Sequence, residues 1–304
     1  MGEIFVAGLK KLVYSQKLAP YVFVSAFFLT FAIFFVYPLA NTTVMSFQSV
    51  LPGEVEFIGL DNYTKLFHDE VFWKAVANSF LYMVLTVALL IPFPMVFACF
   101  IHSKIMIGGE FFKSVLFIPV LTSLVVAGTI FRLIFGELPG SFMNQLLGYF
   151  HHEPIKWLKM QTTGFGALIV LACWRWTGVN ILYFLSGLKS IPQEFYESAE
   201  IDGANAWQKF FRITMPLLKP ITIYVSTISV YAGLAMFLES YMLWTNNNSP
   251  DNIGLTIVGY LYRQGIEKNR MGYASAVGLV LLALAMLINL AQLRLTGVLK
   301  KEGE

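Results

Sequence analysis

Glu197-Ser198-Ala199-Glu200-Ile201-Asp202-Gly203, continuing to Ile213-Thr214-Met215-Pro216, is the one long polar interval with membrane-length apolar runs on both sides. It opens as a short helix would. Ser190 can cap with its hydroxyl, Pro192 fits the first turn, and Gln193 sits three residues on to complete a capping box. Phe195 and Ala199 share one helical face, while Glu194, Glu197 and Glu200 put acidic charge where the helix dipole favours it. Gly203 permits a sharp break because glycine tolerates positive φ. A second amphipathic piece, Trp207 to Met215, is expected to stop at Pro216. Two short helices joined by a glycine make a rigid knob. By shape alone, an ordinary connector fits equally well.

Composition puts the rest of the chain in a bilayer. Apolar residues make up 57% of the 304 and charged residues 13%, against about 25% charged in soluble domains. The net charge of +3 is small and mixed, so nothing suggests nucleic acid as a partner. Cys99 and Cys173 fall inside apolar runs without pairing or metal spacing and read as packing residues. His151 and His152 have no further ligand nearby, so no metal site is expected.

Six segments, roughly 21–47, 76–101, 113–135, 165–188, 220–244 and 273–296, reach the length of about 20 residues that a hydrocarbon core requires. The first is too long for a signal peptide and lacks a small-residue cleavage site. Prolines interrupt several spans (Pro38, Pro92, Pro94, Pro119), which membranes tolerate where neighbouring helices satisfy the freed backbone. Basic residues set the orientation. On one side are Lys10, Lys11 and Lys17, then Lys104 and Lys113, then Lys189, Lys209, Arg212 and Lys219, and finally Arg294, Lys300 and Lys301. The opposite side has Lys65, Lys74, Lys156, Lys159, Arg263, Lys268 and Arg270 over somewhat longer loops. Both termini and the polar knob are therefore expected in the cytoplasm.

The knob also carries a resemblance. E-A-A, three residues, G, nine residues, I-x-L-P is the signature loop of permease subunits in binding-protein-dependent ABC importers. Here it reads Glu197-Ser198-Ala199, Gly203, then Ile213-Thr214-Met215-Pro216, with Ser198 for Ala and Met215 for Leu as conservative departures. Ala19-Pro20-Tyr21 leading to Tyr37-Pro38, Gly59-Leu60-Asp61-Asn62-Tyr63 followed by Phe72-Trp73 and Asn78, and Met271-Gly272-Tyr273-Ala274-Ser275-Ala276 resemble sugar-importer permeases of the MalF-like first-subunit type. The nearest resemblance is to permeases for arabinose-containing and related oligosaccharides. The large extra external domain of the maltose permease is missing.

The resemblance implies an all-α integral membrane protein: six transmembrane helices in the ABC type I importer permease fold, with a cytoplasmic coupling helix. Residues 1–74 would form a cytoplasmic N-terminus, first span and external loop, 75–296 the transmembrane core with its coupling loop at 190–219, and 297–304 a tail. Glu197, Ser198, Ala199, Asp202, Gly203, Ile213 and Pro216 are the expected ATPase-coupling residues. The implied partners are a second permease in a heterodimer, two ATPase subunits, an extracytoplasmic solute-binding protein, a sugar or oligosaccharide, and lipid. ATP and Mg would sit on the ATPases, with no cofactor on this chain, in a bacterial cytoplasmic membrane.

Intramembrane polar residues are the candidates for a substrate path, since charge within a span costs at least about 2.5 kcal/mol on insertion scales. Arg175 lies near mid-depth of the fourth span, between Trp174 and Trp176, with Asn180 one turn beyond Trp176. Indole faces stack on sugar rings, and Asn or Arg supplies hydrogen bonds. Equally, the tryptophans could pack between helices while Arg175 meets a carboxylate or carbonyl of another helix. The family's sugar contacts fall on this span, which favours Trp176 and Asn180. Thr122, beside Pro119 in the third span, and Ser229 and Gly233 in the fifth complete the expected path. Arg132 and Glu239 either pair as an outer gate or snorkel to the interface, with snorkelling preferred.

Two rival classes fare worse. An ion-coupled secondary sugar transporter usually shows internal repeats and mid-depth carboxylates. A membrane enzyme needs a convergent Ser/His set, carboxylate pair or metal cluster. The chain has neither, and it lacks the G-x-x-x-x-G-K-[ST] stretch of nucleotide-binding P-loops.

Overall fold

The computed structural model describes residues 17–103, 106–245 and 248–297. Lys10, Lys11, Lys104, Lys300 and Lys301, used above to orient the chain, lie outside the described residues. Among the described residues four helices are long and apolar enough to cross a membrane: Ala19–Met45, Glu70–His102, Gln161–Lys189 and Met271–Leu295. Two bent pairs, Gly109–Leu121 with Leu124–Ile134 and Ala206–Leu217 with Lys219–Leu234, bring the number to six if each is one span.

The chain divides into two compact units, residues 1–66 with 264–279 and residues 67–263 with 280–304. In the first unit the helix Ala19–Met45 is followed by a small antiparallel hairpin, Gln48–Leu51 paired with Glu54–Phe57, which the all-helical expectation did not include. Asn62 holds the helix-to-strand corner by donating to the carbonyls of Ser46 and Gln48, both at 2.9 Å. Tyr63 adds a bond from its hydroxyl to Ser46 Oγ at 2.7 Å. Gly272 has to be glycine here, because a Cβ would sit 1.9 Å from the Gln48 carbonyl oxygen.

In the second unit the fourth span, Gln161–Lys189, is the hub, packed against parts of the second, third and fifth spans. Its small residues permit close approach, as membrane helix packing favours. A Cβ on Gly178 would lie 1.9 Å from the Leu116 carbonyl oxygen.

Prolines shape the other spans. The third span does not run straight from 113 to 135. It bends by 97° after the helix containing Pro119, where Thr122 and Ser123 adopt extended backbone. The fifth is interrupted as well: its helix ends at Leu234, and a separate turn, Leu238–Leu243, follows. In the second span Pro94 has no N–H for the Leu90 carbonyl, and Asn180 of the fourth span replaces it, donating from Nδ2 at 2.8 Å.

An irregular segment after the fifth span is buried by the same logic. Asn78 donates to the carbonyls of Asn252 and Leu255, both at 2.9 Å, and the Ser79 hydroxyl accepts from the Ile257 N–H at 2.9 Å. Thr256 donates back to the Met236 carbonyl at 2.6 Å. Non-helical backbone buried in this way is stable because side chains satisfy it.

Candidate functional site

The knob is two short helices locked at a fixed angle. The first, Glu194–Ile201, ends in a Schellman motif: the Ala204 N–H donates to the Ala199 carbonyl at 2.8 Å and the Gly203 N–H to the Glu200 carbonyl at 3.0 Å. That geometry requires positive φ at the following residue, and Gly203 supplies it at +74°. Asn205 and Gln208 then form a full capping box for the second helix. The box expected at Ser190 does not form. The Ser190 hydroxyl turns back to the Gly187 carbonyl at 2.7 Å and closes the fourth span, while Gln193 donates to Glu197 at 2.6 Å.

Two side-chain links hold the helices together. Tyr196 and Thr214 hydroxyls meet at 2.9 Å, and Lys209 pairs with Glu200 at 2.8 Å. The second helix also does not stop at Pro216. A wide turn over Phe210–Thr214, closed by the Met215 N–H on the Phe210 carbonyl, relieves the proline clash, and the helix continues to Leu217.

Of the coupling residues, Glu197, Ser198, Asp202, Gly203 and Pro216 are exposed, and Ala199 and Ile213 half-buried. Around them lies an apolar face: Ile201 is 88% exposed, Trp207 72%, and Trp207 stacks on Phe211 with ring centroids 6.0 Å apart. Burying apolar side chains of this kind is what drives protein association.

The second candidate region lies within the membrane spans. Trp176, Asn180, Ser229 and Gly233 line one cavity of about 90 Å³, along with Tyr82, Thr86 and Glu239. Three of the seven expected path residues lie elsewhere. Trp174 packs its ring against Phe131 at 5.3 Å. Arg175 donates to the Thr122 carbonyl at 2.8 Å, so the guanidinium caps the broken third span at the negative end of its helix dipole. The Arg175 guanidinium carbon also lies 5.5 Å from the Trp176 ring centroid, within cation–π reach. Even the residues that line the cavity have structural duties. Asn180 serves the Leu90 carbonyl, and Gly233 lets the fifth span press onto Met83, whose Cα a Cβ would approach to 2.8 Å.

Tyr82 and Thr86 were missed by the sequence reading, which gave Glu239 to an outer gate or the interface and not to the path. Tyr82 and Thr86 are polar residues one turn apart in the second span, a signal of the same kind as Ser229 and Gly233. Glu239 neither snorkels nor pairs with Arg132: it is 8% exposed, faces Trp176 and lies in the field of Arg175. Arg132 instead bonds the Thr245 hydroxyl. Among the described residues no group of three or more His, Cys, Asp or Glu is placed to hold a metal.

Bent spans around a small, mostly apolar cavity with a few polar groups, together with a rigid exposed turn, fit a membrane permease subunit. The chain belongs to the binding-protein-dependent transport system inner membrane component family, whose profile matches residues 68–300. It is 51% identical over 297 residues to the arabinooligosaccharides transport system permease protein AraP of Bacillus subtilis, covering 98% of this chain and 94% of that one. AraP of Halalkalibacterium halodurans is 48% identical over 287 residues, covering 94% and 90%. In fold the chain is similar to a permease in the crystal structure of a bacterial alginate ABC transporter in complex with alginate pentasaccharide-bound periplasmic protein. There the TM-score is 0.83 at 22% identity, over 97% of this chain and 99% of that one. The fold is the ABC type I importer permease fold, and the family leaves no support for the ion-coupled alternative.

Proposed function

We propose that this chain is one of two permease subunits of an ATP-driven importer and forms part of the path for a sugar or oligosaccharide. Residues 75–296 are its transport core, with residues 1–74 and 297–304 flanking it, and residues 190–219 face the cytoplasm along with both termini. Two ATPase subunits, which carry the ATP and Mg, dock on the knob. A second permease closes the path, and an extracytoplasmic solute-binding protein delivers the sugar. The observation that carries this reading is the Gly203 turn, an exposed and internally locked shape with Ile201 and Trp207 turned outward. Such a pre-organised surface transmits a partner's movement because little of it is lost to internal flexing. The names of the AraP relatives support a sugar substrate, and the stacking and hydrogen-bonding groups of the cavity suit one.

Purifying the tagged chain from membranes tests it. A second permease and an ATPase should co-purify, and ATP hydrolysis should rise when loaded solute-binding protein is added. A chain that purifies alone and transports sugar under an ion gradient would overturn the reading.

A further inference from the structure

Among the described residues Glu239 is the one carboxylate lining the cavity formed by Trp176, Asn180, Ser229 and Gly233. It is 8% exposed and in the first turn of the short helix Leu238–Leu243, directly after the break that ends the fifth span. Arg175, whose charge acts on Glu239, bonds the Thr122 carbonyl through one guanidinium nitrogen at 2.8 Å. Among the described residues Glu239 makes no salt bridge. Trp176 bonds its side chain and the charge of Arg175 acts on it, but no salt bridge offsets the cost of burying this carboxylate. The rest of the lining offers hydroxyls, an amide, an indole and apolar surface, and a carboxylate among them is an acceptor of unmatched strength.

We propose that Glu239 is a specificity-determining residue of the transport path, accepting hydrogen bonds from the hydroxyls of a neutral sugar and excluding sugars that carry a carboxylate. The inference rests on the reading of this cavity as part of the sugar path. A carboxylate accepts from two adjacent hydroxyls at once, and every neutral pyranose or furanose presents such pairs. A uronate would instead bring a second negative charge into a water-poor space, where like charges repel strongly. The Trp176 ring beside Glu239 provides an apolar face for the sugar ring, so the two residues read different parts of one unit.

The test uses the assembled transporter, with its second permease and ATPases, and two probes, arabinotriose and trigalacturonate. Binding of each is measured by equilibrium dialysis without the solute-binding protein, so that the preference recorded is the membrane part's own. Wild type should prefer arabinotriose, and Glu239→Gln should shift the ratio of the two affinities toward trigalacturonate by about tenfold or more. An unchanged ratio in Glu239→Gln, with arabinotriose still bound by wild type, overturns the proposal and leaves the sugar path intact. Binding of neither probe by wild type overturns the sugar-path reading and this inference with it. If Glu239→Gln does not assemble, wild type is compared on trigalacturonate and its neutral methyl ester: preference for the ester by about tenfold or more supports the proposal, and equal binding overturns it.

Discussion

Asn180 illustrates how a single side chain can serve fold and function together. Its amide replaces the N–H that Pro94 cannot offer to the Leu90 carbonyl, while the residue also lines the cavity. Asn180→Ala should therefore destabilise the assembled protein by about 1–3 kcal/mol, the range for a buried carbonyl left unpaired. Pro94→Ala restores the missing N–H, so the double variant should recover most of that loss. Melting temperatures of the single and double variants check this, and additive losses would refute the pairing. Trp176 is a different case: its indole bonds Glu239, which lines the same cavity, and lies in cation–π reach of Arg175. Trp176→Ala should lower uptake at limiting sugar roughly ten- to hundredfold while leaving expression near wild type, if a stacking platform worth about 1–3 kcal/mol is lost. A fall in thermal stability with unchanged transport affinity would make it a packing residue instead.

At the scale of elements, the knob depends on one backbone angle. Gly203 at φ +74° has open space around it, so a substitution there meets conformational strain and no clash. Gly203→Ala should reduce coupling modestly, through a left-handed residue costing about 1–2 kcal/mol. Gly203→Pro, whose ring fixes φ near −65°, cannot form the Schellman turn at all. It should insert in the membrane but lose assembly with the ATPase or stimulation of its activity, measured as ATP hydrolysis with loaded binding protein. Normal stimulation in the proline variant would sever the knob from coupling. Where the fourth span crosses the third, space is the limit. Gly178→Leu drives a side chain into the Leu116 backbone and should abolish stable expression, read from the yield of monodisperse protein.

For the whole molecule the prediction concerns which face meets the cytoplasm. The basic loops favour a cytoplasmic knob, and single cysteines test this in a chain whose Cys99 and Cys173 have been replaced by alanine. A cysteine at Lys219 should resist an impermeant thiol reagent in intact cells, while cysteines at Glu56 and Glu153 react. The opposite pattern would invert the topology and remove the knob from reach of an ATPase. Asn247, a natural choice for an external probe, lies outside the described residues.

Much of this protein was legible in the chain. Six apolar runs of spanning length, the Gly203 break and the fixed spacing from Glu197 to Pro216 are properties of local sequence, because hydropathy and positive φ are paid residue by residue. The amino-acid order could not show where a proline's orphaned carbonyl finds its donor. Asn180 reaches Leu90 across 90 positions, and Asn78 reaches Leu255 across 177. Nor could it show that Arg175 caps Thr122 while Trp174 turns to Phe131, leaving Trp176 as the one of the three neighbours that lines the cavity. Along a helix, adjacent residues point about 100° apart, so depth in a span says how far in a residue lies but not which neighbour it faces. That choice belongs to helix packing. It was made by close contacts such as Gly178 on Leu116 and Gly233 on Met83, which only the tertiary structure brings together.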